Sequence, residues 1–124
     1  ISYNPLGGGI LSGKYTKNRL PDSARLTDDG MYRKRYGDDW MYDIARRFYQ
    51  FAAEHGHHPV ALAVAWVSHH PAITAPILGA RNVDQLEDAL QSVDIQMTPE
   101  LYADICKLTP IPPSATKRSE ELIS

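Results

Sequence analysis

The sequence predicts an α/β fold built on parallel strands, and it predicts a sheet that is incomplete. Three observations carry this. Short apolar β-type runs alternate with helical patterns. The first run ends in a glycine-bearing turn, and the second is closed by Gly79 ahead of a helix. Only two such runs are present, and two parallel strands leave both edges open and cannot build a stable core alone.

The chain opens Ile1-Ser2-Tyr3-Asn4-Pro5, as though inside a strand that ends in a turn. It has no initiator methionine there, so a piece of a longer polypeptide is expected. Pro5-Leu6-Gly7-Gly8-Gly9 is a turn in which glycines permit positive φ and close approach of a ligand. Ile10 to Tyr15 follows as a short apolar element ending in Lys14-Tyr15. Lys17 to Gly37 is polar, broken by Pro21 and Gly30, and reads as a long surface loop of the kind used as lids or binding loops.

Asp38 or Asp39 caps the next segment. Trp40, Met41, Ile44, Ala45, Phe48, Phe51 and Ala52 recur at three- and four-residue steps, the inner stripe of an amphipathic helix that Gly56 stops. His58-Pro59 starts another helix with proline at its first position. Val60 to Val67 is apolar almost all round, which predicts burial on most faces, and His69-His70-Pro71 ends it. Ile73 to Leu78 is the second strand, closed by Gly79; its Pro76 is best tolerated in a short strand with a free side. Asn82, with Gln85 three residues on, has the spacing of a capping box. Val83, Leu86, Leu90 and Val93 are the expected inner stripe of that helix. Thr98-Pro99-Glu100 opens a last helix carrying Leu101, Ile105 and Leu108, and from Pro110 the chain reads as an extended tail.

Composition narrows the function classes. A net charge of -2 gives no general attraction to nucleic acid or anionic membrane. A single cysteine, Cys106, excludes an intrachain disulfide framework and a Cys-rich zinc site, and fits a reducing, cytoplasmic setting. The longest apolar runs are too short to span a bilayer. His55, His57, His58, His69 and His70 cluster at helix ends, where histidine meets free carbonyls more simply than a metal. The basic-aromatic run Tyr32 to Tyr36 reads as a solvated loop, and Cys106 as a small core residue.

Two stretches carry chemistry, both at the carboxyl end of a strand, where α/β sheets place ligands. In the first, glycine backbone after Tyr3 can present N–H groups to a pyrophosphate, Lys14 can supply countercharge, and Tyr3 offers a flat face to an aromatic ring. In the second, Gly79-Ala80-Arg81-Asn82 joins a strand to a helix N-terminus, a ready anion site. Arg81 opposes the dipole there, so its placement makes most sense facing an anion such as a ribose phosphate. Gln85 and Asp88, one turn on, are within reach of a base.

Together these stretches resemble the aldo-keto reductase family. The resemblance lies in Tyr3-Asn4-Pro5-Leu6, Leu11-Ser12-Gly13-Lys14-Tyr15, Ala65-Trp66-Val67, Pro76-Ile77 and Leu78-Gly79-Ala80-Arg81 leading to Gln85-Leu86, and runs from Tyr3 to about Leu108. It is nearest the branch with bacterial reductases, aflatoxin-aldehyde reductases and potassium channel β subunits. It implies the C-terminal fragment of a (β/α)8 TIM barrel holding about its last two strands and their helices. Residues 1–109 would be the C-terminal part of the reductase domain and 110–124 a tail. The implied cofactor is NADPH, with Tyr3 on the nicotinamide, Asn4, Pro5, Leu6, Gly7, Gly8 and Lys14 along the pyrophosphate, and Arg25 on a loop over it. Gly79, Ala80 and Arg81 would hold the adenosine ribose and its 2′-phosphate, with Gln85 and Asp88 at the adenine end. Asp88 stands where the family usually has glutamate. Ala89 stands where it has asparagine, removing an amide that would bond adenine. The family's catalytic tetrad of Asp, Tyr, Lys and His has no counterpart in this sequence and would come from the missing N-terminal part of the barrel. The implied reaction is reduction of a carbonyl substrate; a cofactor-binding regulatory subunit and an inactive truncated product are the competing readings.

Overall fold

The computed structural model describes residues 1–3, 5–12 and 39–109. The sequence expectations for Asn4, Lys14, Arg25, the 17–37 loop and the tail from 110 lie outside these residues. Strand β1 (Ser2–Tyr3) pairs in parallel with β2 (Pro76–Ile77), Ser2 opposite Pro76 and Tyr3 opposite Ile77. The Ser2 N–H donates to the Ala75 carbonyl at 3.2 Å. The strand expected over 73–78 contracts to two residues. Proline has no N–H to add to a ladder, and the Ile73 N–H instead closes a turn onto the His70 carbonyl at 2.9 Å.

After β1 the chain forms a 3-10 helix over Gly7–Ser12, so the expected turn and the apolar element after it merge. The Leu6 carbonyl accepts both the Gly9 N–H (3.1 Å) and the Leu11 N–H (3.3 Å). Gly7 and Gly9 have φ of 57° and 97°, in the region that residues bearing a β-carbon avoid.

Helix α1 (Asp39–Glu54) buries Ala45, Phe48 and Ala52, the spacing the sequence predicts. Trp40, expected on the same stripe, is exposed instead; it lies in the first turn, ahead of the part that meets the core. Gly56 ends α1 with φ of 70°. Its N–H bonds the Ala53 carbonyl and the His57 N–H bonds the Ala52 carbonyl, a Schellman motif that satisfies two terminal carbonyls. Helix α2 (Pro59–His69) buries six consecutive residues, Val60 to Ala65. Leu62 is 0% exposed. Such a run is possible only because α2 is central. It packs against α1, β2, the 3-10 segments and α3 (Val83–Leu90). A second 3-10 segment, Gln91–Asp94, leads to α4 (Pro99–Cys106), whose first turn is capped by Thr98 accepting from the Leu101 N–H at 3.1 Å. Cys106 is half-buried, on the edge of the core rather than within it.

Two apolar clusters result. Phe48, Ala52, Leu62, Ala63 and Ile105 form the larger, joining α1, α2 and α4. Val60, Val64 and Ala89 form the smaller, joining α2 and α3. Leu6 packs against both. The expected inner stripe of α3 is corrected here. Val83 is 67% exposed and Val93 82%, and Leu86 and Leu90 are also exposed, whereas Ala89 is 6% exposed. The helix meets α2 through this small residue, which lets two backbones approach closely, and its larger apolar side chains point elsewhere.

Candidate functional site

Parallel pairing decides where the two glycine-bearing stretches go. Because Tyr3 lies opposite Ile77, both strands deliver their following residues at the same end. Adjacent strands are about 4.8 Å apart. The segments that begin at Pro5 and Leu78 therefore leave the sheet at the same end, and Leu6 and Leu78 pack against the same apolar cluster.

On the first stretch, Pro5, Leu6 and Gly7 are half-buried. The Leu6 side chain belongs to the core, and its carbonyl is occupied twice. Leu6 therefore anchors the turn that leads into the 3-10 helix. Tyr3 ends β1 opposite Ile77.

On the second stretch, Gly79, Ala80 and Arg81 are exposed. Asn82 caps α3, its Oδ1 accepting from the Gln85 N–H at 2.9 Å. Gln85 Oε1 accepts in return from the Arg81 N–H at 3.0 Å. The expected capping box is present in a shifted form, with the return bond one residue before the cap. This bond uses the Oε1 end of the Gln85 amide. The Arg81 backbone is fixed by this bond, and among the described residues no carboxylate lies within ion-pair distance of its guanidinium. Asp84 in the first turn favours the helix dipole and opposes an incoming anion.

Asp88 is half-buried, with Oδ2 3.8 Å from His58 Nε2 at the start of α2. Nothing in the sequence signals this pair, which spans two helices and a strand. Ala89 faces Val60 and Val64. An asparagine at 89 would have its amide against two valines, so in this arrangement the alanine is a packing residue.

Three of the five histidines have side-chain partners at helix ends. His58 Nδ1 accepts from the Val60 N–H at 3.3 Å and His70 Nδ1 from the Ala72 N–H at 3.1 Å. His55 Nδ1 lies 2.8 Å from the Phe51 carbonyl, and its ring stacks on Phe51. Among the described residues no group of three His, Cys, Asp or Glu is placed to hold a metal, and no helix is long and apolar enough to cross a membrane. Away from the strand ends, Tyr102 stacks on Trp66; partial burial, and then neighbouring Cys106, hold its phenol above the ordinary pKa.

The family model for the Aldo/keto reductase family matches residues 1–109. The chain belongs to the aldo/keto reductase family. Protein tas of Escherichia coli strain K12 is 30% identical over 105 residues, covering 85% of this chain and 30% of that protein. An uncharacterized oxidoreductase, YrpG of Bacillus subtilis strain 168, is 29% identical over 116 residues, covering 94% of this chain and 33% of that protein. A probable voltage-gated potassium channel subunit beta of Oryza sativa subsp. japonica is 27% identical over 124 residues, covering 96% of this chain and 37% of that protein. The chain spans about a third of the length of these aldo/keto reductase relatives. The family implies a (β/α)8 barrel; the described residues form two adjacent parallel strands with their helices, and no closed barrel.

Proposed function

We propose that residues 1–109 form the cofactor-binding part of an NADPH-dependent aldo-keto reductase that reduces aldehydes or ketones. The parallel register of Tyr3 with Ile77 is the observation that supports this most, because it sets both stretches at one end of the sheet. The residues present fit the group. Gly7 and Gly9 adopt positive φ in a turn pinned by Leu6. The capped start of α3 offers amides that no intrahelical carbonyl can take, and Arg81, exposed, directly precedes the cap.

In this reading Tyr3 supports the nicotinamide, and Asn4, Pro5, Leu6, Gly7, Gly8 and Lys14 flank the pyrophosphate, with Arg25 covering it. Gly79, Ala80 and Arg81 take the ribose and its 2′-phosphate, and Gln85 and Asp88 the adenine. When bound, the cofactor supplies a hydride to a carbonyl carbon. None of this chain's residues is proposed as catalytic. The acid-base tyrosine and its lysine, histidine and aspartate belong to the remaining part of the barrel. That part would also cover Ile77, Val83, Leu86, Leu90 and Val93, whose exposure supports a missing neighbour.

A second reading keeps the cofactor site without turnover. It is favoured by the similarity to probable potassium channel β subunits of Oryza sativa and Arabidopsis thaliana. The two readings separate on whether bound NADPH is oxidised when aldehydes are added.

The cofactor assignment is tested by Arg81→Ala in the complete barrel protein. Charge-assisted hydrogen bonds contribute about 1.5–3 kcal/mol, so NADPH affinity should fall roughly 10- to 100-fold. NADH affinity should change little. Equal loss for the two cofactors contradicts the assignment.

A further inference from the structure

We infer that His58 is a positioning residue for the adenine end of the site, acting through Asp88. The inference rests on the reading of Asp88 as an adenine contact. It starts from the two nitrogens of one imidazole. His58 is the N-cap of α2, with extended backbone (φ -69°, ψ 130°), and its Nδ1 accepts the Val60 N–H at 3.3 Å. An accepting Nδ1 carries a lone pair, so the proton of the neutral ring sits on Nε2. Nε2 is the atom that faces Asp88 Oδ2, at 3.8 Å. The cap therefore selects the tautomer that points an N–H at the carboxylate.

At 3.8 Å the contact is longer than a direct hydrogen bond, so the Nε2–H acts on the carboxylate as a dipole on a charge. Both side chains are nearly two-fifths exposed, so solvent screens the attraction and its effect on stability is small. Its consequence is orientation. Asp88 adjoins Ala89, whose contact with Val60 and Val64 sets α3 against the N-terminal half of α2. Helix position and carboxylate direction are thus set from the same end of α2. One carboxylate oxygen turns to His58, and the other is left to accept from the exocyclic amine of adenine.

The test separates capping from positioning. Asparagine caps helices well but is too short to span the gap to Asp88. In the complete protein, His58→Asn should leave the thermal midpoint near that of the unsubstituted chain and raise the Kd for NADPH about 3- to 10-fold. His58→Ala should lower the midpoint as well, by loss of the cap. Asp88→Ala should raise the Kd by a similar factor, and the double variant should add nothing further, because coupled residues are not additive. Long-range ¹H–¹⁵N spectra should show His58 protonated on Nε2 and bare at Nδ1. An unchanged Kd in His58→Asn, full additivity, or the opposite tautomer overturns the inference. If Asp88→Ala is neutral while Arg81→Ala weakens NADPH, the His58 proposal fails and the cofactor site stands. If both are neutral, the cofactor site itself fails.

Discussion

Helices α2 and α3 touch each other yet solve opposite problems. Helix α2 is apolar on every side from Val60 to Ala65, and every side is covered. Helix α3 has the cleaner amphipathic pattern, yet the described residues cover only Ala89, leaving Val83, Leu86 and Leu90 exposed. The difference teaches that a periodic stripe tells which face a helix wants to bury, while the presence of a covering neighbour is a separate matter. A helix apolar all round must be central wherever it sits, so its burial follows from its own sequence. A stripe of large residues waits for a partner surface.

This contrast breaks most sharply at Leu62. Leu62→Ala removes a fully buried side chain from the larger cluster, and should destabilise the folded chain by about 2–5 kcal/mol. Chemical denaturation measures it, and a loss under 1 kcal/mol would mean α2 is not the centre of the core. The counterpart is Val93→Ser beyond the end of α3. At an exposed position the cost should stay within about 0.5 kcal/mol for this chain alone, and rise severalfold once the rest of the barrel is present. A cost matching that of Leu62→Ala in the chain alone would show that the face is already covered.

Much of the fold was legible because local chemistry carried it. Pro59 after His58, Thr98 before Pro99, Asn82 before Gln85 and Gly56 after α1 are each local chemical reasons for a helix end, and each stands at one. The parallel alternation of β1 and β2 was legible in the element order, whereas the contraction of the 73–78 run to Pro76–Ile77 was not. The stripe of α3 was misread because exposure depends on what lies opposite. For the candidate site, glycine turns and the Arg81 position were visible in the chain. The use of Leu6 in both clusters was not, since a leucine in a turn reads the same whether it lines a ligand or the core. Nor was the His58–Asp88 pair, which only the packing of α3 on α2 creates.

The central claim is that two strand ends, far apart in sequence, make one cofactor site. Hydrogen–deuterium exchange of the complete protein with and without NADPH tests it most directly. Slower exchange in both 5–12 and 79–88 on adding NADPH is the predicted result. Slowing in only one stretch, or in neither while NADPH is bound, would contradict it.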